Sequence, residues 1–236
     1  MHVSRTVPAG SKRAQIVARW FGVDRTDARS THESAIGSPP PPIELRGGQI
    51  VLLTGASGAG KSTLLHRLRR QHDQHASWRD LGRTRLPADM LVIDAMADAM
   101  GGSDDEATIV AALDALSRVG LGEVWTYLRT PAQLSEGQRW RLRLALTLVR
   151  ARAAPPDKPL TILAADEFAA PLDRVTALVV ARALRKAVTA RPNLCAIVAT
   201  TCDDLNAALD PDLTVHCDFG TFNLHAKGDR HEPQQQ

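Results

Sequence analysis

Hydrophobic and polar positions fall into blocks along this chain, and the period changes from block to block. "QIVLLTG", residues 49–55, is a short apolar run of the kind a strand buried on both faces requires. "KSTLLHRLRRQH" follows with apolar residues at helical spacing. "MLVIDAM", residues 90–96, reads equally as strand or helix. "DDEATIVAALDALSRVG" predicts a helix, with acidic residues in its first turn complementing the macrodipole and a glycine stop. "EGQRWRLRLALTLVRAR" predicts a longer helix ending before Pro155. "LTILAAD" predicts a strand, "RVTALVVARALRKAVTA" a helix, "LCAIVATT" a strand and "DLTVHCDFGTFNLH" a closing strand pair. Strands alternating with helices predict an α/β fold with a mostly parallel sheet.

The first 45 residues have a different grain. Residues 1–30 carry six Lys/Arg against two Asp, and Ile16, Val17, Trp20 and Phe21 give an amphipathic helical spacing. "SPPPPIE" then reads as a stiff connector, because consecutive prolines cannot lie inside a helix. Residues 1–45 are thus expected to form a basic arm and 46–236 the main domain, with a disordered polar tail from about 227 to 236. Composition adds that 44% of residues are hydrophobic and only 4% aromatic, so the core must be built on Leu, Val, Ile and Ala. A formal charge of +3 permits a nucleic-acid partner without arguing for one. Three cysteines with no CxxC pair argue against a disulfide framework or a zinc site and fit a reducing cytoplasm. The N-terminus lacks the apolar segment of a signal peptide. No apolar run approaches the roughly 20 residues a membrane span needs, so work at a membrane would require another chain to do the spanning.

One stretch carries specific chemistry. "GASGAGKST" fits G-x-x-x-x-G-K-[ST] in full, between a predicted strand and a predicted helix. Such a loop wraps a polyphosphate with backbone N–H groups, and side chains obstruct it, hence Gly55, Gly58 and Gly60. The expected nucleotide-binding residues are Gly55, Ala56, Ser57, Gly58, Ala59, Gly60, Lys61, Ser62 and Thr63, with ATP or GTP as ligand. Lys61 is expected to reach the β- and γ-phosphates and Ser62 to ligate Mg2+. "LTILAADEF" then supplies two carboxylates at a strand end: Asp166 for the metal and Glu167 as general base toward an attacking water.

Two further motifs narrow the class. "LSEGQ", Leu134 to Gln138, is one residue from the LSGGQ signature of ABC-type ATPases, and "PLD" places Asp173 seven residues after Asp166, where that family has its D-loop. The chain resembles an ABC-type nucleotide-binding domain over roughly residues 46–225. "SEGQRWRLRLA" and "VARWFG" are similar to soluble ABC-type ATPases that some microbes join to an acetyltransferase-like domain. The resemblance implies a P-loop NTPase fold with a mostly parallel central sheet and an inserted helical subdomain, about 95–152, that carries the signature. It implies a homodimer formed head to tail on ATP, in which Ser135, Gly137 and Gln138 address the γ-phosphate held by the partner's P-loop. Ser135 also reads as a simple helix N-cap, and the two roles are compatible. Arg139, Arg141, Arg143, Arg150 and Arg152 do not form one stripe, and a solvated or interface helix is the better reading than a nucleic-acid surface.

Departures from the family pattern bear on function. No glutamine lies between Ala76 and Gly120, where a glutamine loop is expected, and Asp94 is the nearest candidate substitute. Residues 22–54 contain no aromatic to stack on the base, which leaves Trp20 or Phe21. "RARAAPPDKP" lengthens the connection before the acidic pair, and Cys202, in Thr201-Cys202-Asp203, stands where the family has its switch histidine. A neutral thiol is a poorer hydrogen-bond donor than imidazole, so hydrolysis is expected to be slow. The leading expectation is a cytoplasmic, Mg-dependent, non-transport ATPase with a protein or nucleic-acid partner. The alternatives are the ATP-binding subunit of a transporter, with a membrane subunit as partner, and a switch or scaffold with little turnover.

Overall fold

The computed structural model describes residues 42–152 and 158–228, together with Ile16. Apart from Ile16, the expected amphipathic helix lies outside the described residues, as do most of the proline connector and residues 229–236 of the expected tail. In chain order the elements are β1 (Ile50–Thr54), α1 (Lys61–His72), β2 (Ala76–Asp80), α2 (Val92–Ala99), α3 (Glu106–Arg118), α4 (Val124–Tyr127), α5 (Glu136–Arg150), β3 (Leu160–Ala165), α6 (Arg174–Thr189), β4 (Leu194–Ala199), α7 (Asn206–Leu209), β5 (Leu213–Asp218) and β6 (Thr221–Ala226).

The sheet runs β2-β3-β4-β1-β5-β6. The first five of these strands are mutually parallel and β6 returns antiparallel to β5. The central strands are sealed on both faces, which is why they read as unbroken apolar runs. Alternation still sorts their side chains. Val51 and Leu53 of β1 face Leu64, Leu65 and Leu68 of α1. Ile50 and Leu52 face the opposite layer, built by α2, α3, α5, α6 and α7. Register then fixes the working edge of the sheet: Leu53 lies opposite Ala199, and Ala165 opposite Val198. The segments leaving β1, β3 and β4 therefore emerge side by side at the carboxyl edge.

The structure settles one reading left open by the sequence and departs from it in two further places. "MLVIDAM" is helical: α2 buries Val92, Ala95 and Met96, and Asp94 lies in its exposed first turn. Asp94, the nearest candidate for the missing glutamine, thus lies on a helix and not at a strand end. The strand beside β3 is instead β2, "ASWRD", ending at Asp80. Its polar alternation hid it, since a parallel neighbour, rather than its own propensity, holds it in the sheet. Finally, α5, expected as a solvated or interface helix, is packed into the core along most of its length. Trp140, Leu142 and Leu144 through Val149 are buried, and two of its arginines, Arg139 and Arg141, reach backbone carbonyls, while Arg150 is exposed. Arg139 Nη1 donates to Leu134 O at 2.7 Å, and Arg141 donates to Gly120 O and Gly137 O.

Candidate functional site

The loop between β1 and α1 is shaped by its glycines. Gly55 has φ 130°, and a Cβ there would sit 2.2 Å from Cys217 O, so no other residue fits between β1 and β5. Gly58 and Gly60 also have positive φ, and Gly60 caps α1 in the left-handed region. Ala59 is buried beneath the loop while Ala56, Ser57 and Gly58 are exposed. The Lys61 ammonium folds back into the loop and donates to Gly55 O and Ala56 O, each at 2.7 Å. The result is a concave loop with a cation at its centre and the N-terminus of a 12-residue helix behind it, which is a site built for an anion.

A cavity of about 530 Å³ opens over this loop. Ser57, Gly58, Gly60, Lys61, Ser62 and Thr63 line one side, Asp166 and Glu167 another, and Thr200, Thr201 and Cys202 a third. The topology brings these segments together from three strands. The acidic turn is held tightly. Glu167 and Ala169 adopt φ 51° and 61°, the Glu167 N–H donates to Asp166 Oδ1 at 3.1 Å, and the Phe168 N–H donates to Ala199 O at 2.9 Å. Left-handed backbone at non-glycine residues costs about 1–3 kcal/mol, and such strain gathers at working sites. Phe168 anchors the turn by burying its ring edge-on against Trp140 of α5, with centroids 5.2 Å apart.

Thr200 joins the last wall to the others, a role the sequence did not signal. Its backbone N–H donates to Leu53 O, its hydroxyl donates to Phe168 O at 3.4 Å, and the same oxygen accepts from Cys202 N at 3.1 Å. Thr54 Oγ1 adds a bond to Asp203 Oδ1 at 3.0 Å. Cys202 is exposed at the cavity, whereas Cys195 and Cys217 are buried.

Ser62 and Asp166 present hard oxygen donors to one cavity, a donor set that suits Mg2+ shared with phosphate oxygens. Ser135, Gly137 and Gln138 do not join this cavity within the chain. They open α5 as a capping box: Ser135 Oγ accepts from Gln138 N at 3.2 Å, and Gln138 Oε1 accepts from Ser135 N at 3.0 Å. A Cβ on Gly137 would stand 3.2 Å from Leu172 Cδ2, so the start of α5 packs on the Pro171–Asp173 segment. Asp173 itself caps α6 and accepts from Thr176 N at 3.0 Å, bonds that hold its carboxyl below the usual range, with the Thr176 side chain foremost.

Beside β3, Asp80 stands at the C-terminal end of β2. Its carboxylate lies 3.3 Å from Arg83 Nε and 3.9 Å from Arg69 Nη1. Among the described residues no helix is long and apolar enough to cross a membrane.

The fold and the loop define an α/β P-loop NTPase. The profile of the ABC transporter family matches residues 42–154. The chain carries the profile and the fold of the ABC-type ATPases, a family of enzymes that hydrolyse ATP. It is 29% identical to the lipoprotein-releasing system ATP-binding protein LolD of Granulibacter bethesdensis, over 88% of this chain and 95% of the relative. It is 30% identical to the aliphatic sulfonates import ATP-binding protein SsuB 2 of Nocardia farcinica, over 70% of this chain and 62% of that relative's length. Among solved structures, the dimeric post-hydrolysis state of the ATP-binding cassette MJ0796 with ADP and Pi superposes with TM-score 0.57 at 20% identity, covering 78% of this chain and 88% of that one. CbiO1 of Clostridium perfringens, part of the transporter complex cbiONQ, superposes with TM-score 0.55 at 19% identity, covering 78% and 79%.

Proposed function

We propose that this protein binds ATP at the loop Gly55–Thr63 and hydrolyses it slowly in a head-to-tail homodimer, as the ATP-binding subunit of a transporter. The observation that carries the catalytic reading is the convergence of Lys61, Ser62, Asp166 and Glu167 on one cavity. Backbone N–H groups of the loop and the Lys61 ammonium bind the phosphates. Ser62 and Asp166 hold Mg2+, which when bound neutralises charge on the phosphate oxygens. Glu167 orients water and takes its proton, and its rigid turn keeps the carboxylate in place. Ser135 and Gly137, at a helix N-terminus remote from the chain's own cavity, serve the partner's γ-phosphate. Cys202 replaces an imidazole donor by a weaker one, which slows turnover.

The transporter reading replaces non-transport work as the first choice. The two curated relatives are named as ATP-binding proteins of a lipoprotein-releasing system and a sulfonate importer. Val124, Trp125 and Leu128 add an exposed apolar face on the helical subdomain, the kind of surface a protein partner covers. One observation favours the second reading, a non-transport ATPase: no glutamine lies between Ala76 and Gly120, where the family resemblance implies a glutamine loop.

Purified wild type beside Glu167→Gln tests the chemistry: Mg-dependent ATP hydrolysis that the substitution abolishes supports it, and equal rates in both refute it. Detergent extraction from the native host tests the role. Co-purification with an integral membrane protein is expected. A chain found without one, whose ATPase rises on adding nucleic acid, supports the second reading instead.

A further inference from the structure

The turn between β5 and β6 breaks a local rule. Phe219 and Gly220 link Asp218 to Thr221, which pair across the hairpin. Their φ values are 38° and 103°, the doubly positive pattern of the two-residue turn whose twist suits a hairpin. Asn-Gly and Asp-Gly make such turns readily. A phenylalanine held in the left-handed region is strained, and burial does not offset the cost, since Phe219 is 69% exposed. A residue placed against its own preference and left in water points to a task outside the fold.

Its location names the task. β5 bonds to β1 on the side away from β4 and β3, and Cys217 O lies so close to Gly55 that the hairpin abuts the root of the phosphate loop. A Cβ on Gly58 would stand 4.0 Å from Phe219 Cε1. Asp166, Glu167 and Cys202 belong to the segments after β3 and β4, on the other side of β1. A triphosphate whose γ end faces those groups therefore has its nucleoside end on the side of β5 and β6. Residues 42–54 contain no aromatic.

We propose that Phe219 is the platform on which the base of the bound nucleotide stacks, with the β5–β6 turn taking over a role that the family resemblance places upstream of the loop. The inference rests on the nucleotide reading given above. An aromatic face binds a base by stacking, and phenyl carries no hydrogen-bonding group, so the platform reads the ring and not its edge. ATP and GTP stack on it alike.

Calorimetric titration of the full chain with ATP and with inorganic tripolyphosphate separates base from phosphate. Phe219→Asn suits the turn, so the unliganded variant is expected to melt no lower than wild type. It is expected to weaken ATP binding about tenfold while leaving tripolyphosphate affinity unchanged. Phe219→Trp is expected to hold ATP at least as tightly as wild type. ATP affinity unchanged in Phe219→Asn overturns the platform, as does an equal loss for both ligands, which would mean that the turn merely shapes the loop. Wild type that binds neither ligand overturns the nucleotide reading itself, and the platform with it.

Discussion

Cys195 and Cys217 lie inside the sheet, where burial pushes the Cys195 thiol up to about 12 and the Cys217 thiol upward as well. Cys202 is exposed at the rim of the phosphate cavity. A buried thiol is shielded and, with a raised pKa, holds almost no thiolate, so reactivity should follow position. With a maleimide on the native protein, one fast-reacting thiol is expected, mapped to Cys202 by peptide mass, and Mg-ATP is expected to protect it. Rapid labelling of a second cysteine would contradict this burial pattern. Cys202→His restores the stronger donor and is expected to raise turnover several-fold, while unchanged turnover in a folded variant would reduce Cys202 to packing. Gly55 leaves no room for a side chain. Gly55→Ala meets Cys217 O in addition to an unfavourable φ, and is expected to cost at least ~1–3 kcal/mol of stability in urea unfolding.

At the scale of elements, α5 ties the signature to the acidic turn. Its capping box starts the helix and Trp140, one turn on, packs on Phe168 directly behind Glu167. Ser135→Ala is expected to cost about 1 kcal/mol as a lost cap. Trp140→Ala is expected to cost ~3–5 kcal/mol as a core deletion. Urea midpoints distinguish the two, and a smaller loss for Trp140 than for Ser135 would deny the anchoring role. The caps also contribute to stability against acid. Asp105 is held low first by the Ser103 hydroxyl and Asp173 first by the Thr176 side chain, both below the ordinary 3.8. A depressed folded pKa contributes stability that is complete above the unfolded value and lost as pH falls through the folded one. Stability from these groups is therefore expected to hold down to about pH 5 and to decline below 3.8. Asp173→Asn keeps a capping side chain without the titration and should flatten part of that decline in urea midpoints measured against pH. What the sequence made legible follows the same physics. The phosphate loop, the acidic pair and the signature announce themselves because each needs fixed residue types at short spacing. β2 and Asp80 were hidden because an edge strand is held by its neighbour, and Phe219 because its meaning depends on a strand pairing of residues some 160 positions apart.

At the scale of the whole molecule, the proposed site draws on two copies of the chain. The phosphate cavity holds Lys61, Asp166 and Glu167, yet Ser135, Gly137 and Gln138 line none of it and are spent within the chain on capping α5 and on packing against Leu172. In the proposed head-to-tail dimer, a second copy would supply the exposed N-terminus of α5 to the γ-phosphate, and ATP would become part of the interface. Two measurable consequences follow. ATP binding adds RT ln(1 + [L]/Kd) of stability, about 2.7 kcal/mol at a hundredfold excess over Kd, which for a chain of this size raises the melting temperature by roughly 5–10 °C. Retaining ATP by Glu167→Gln with Mg2+ is expected to convert monomer to dimer in light scattering. Adding Ser135→Arg crowds the proposed contact at a solvent-exposed position, so the double variant should keep the ATP-induced rise in melting temperature yet remain monomeric. A double variant that still dimerises on ATP would show that the chain pairs by some other face, and the proposed role of Ser135 would fall while ATP binding stood.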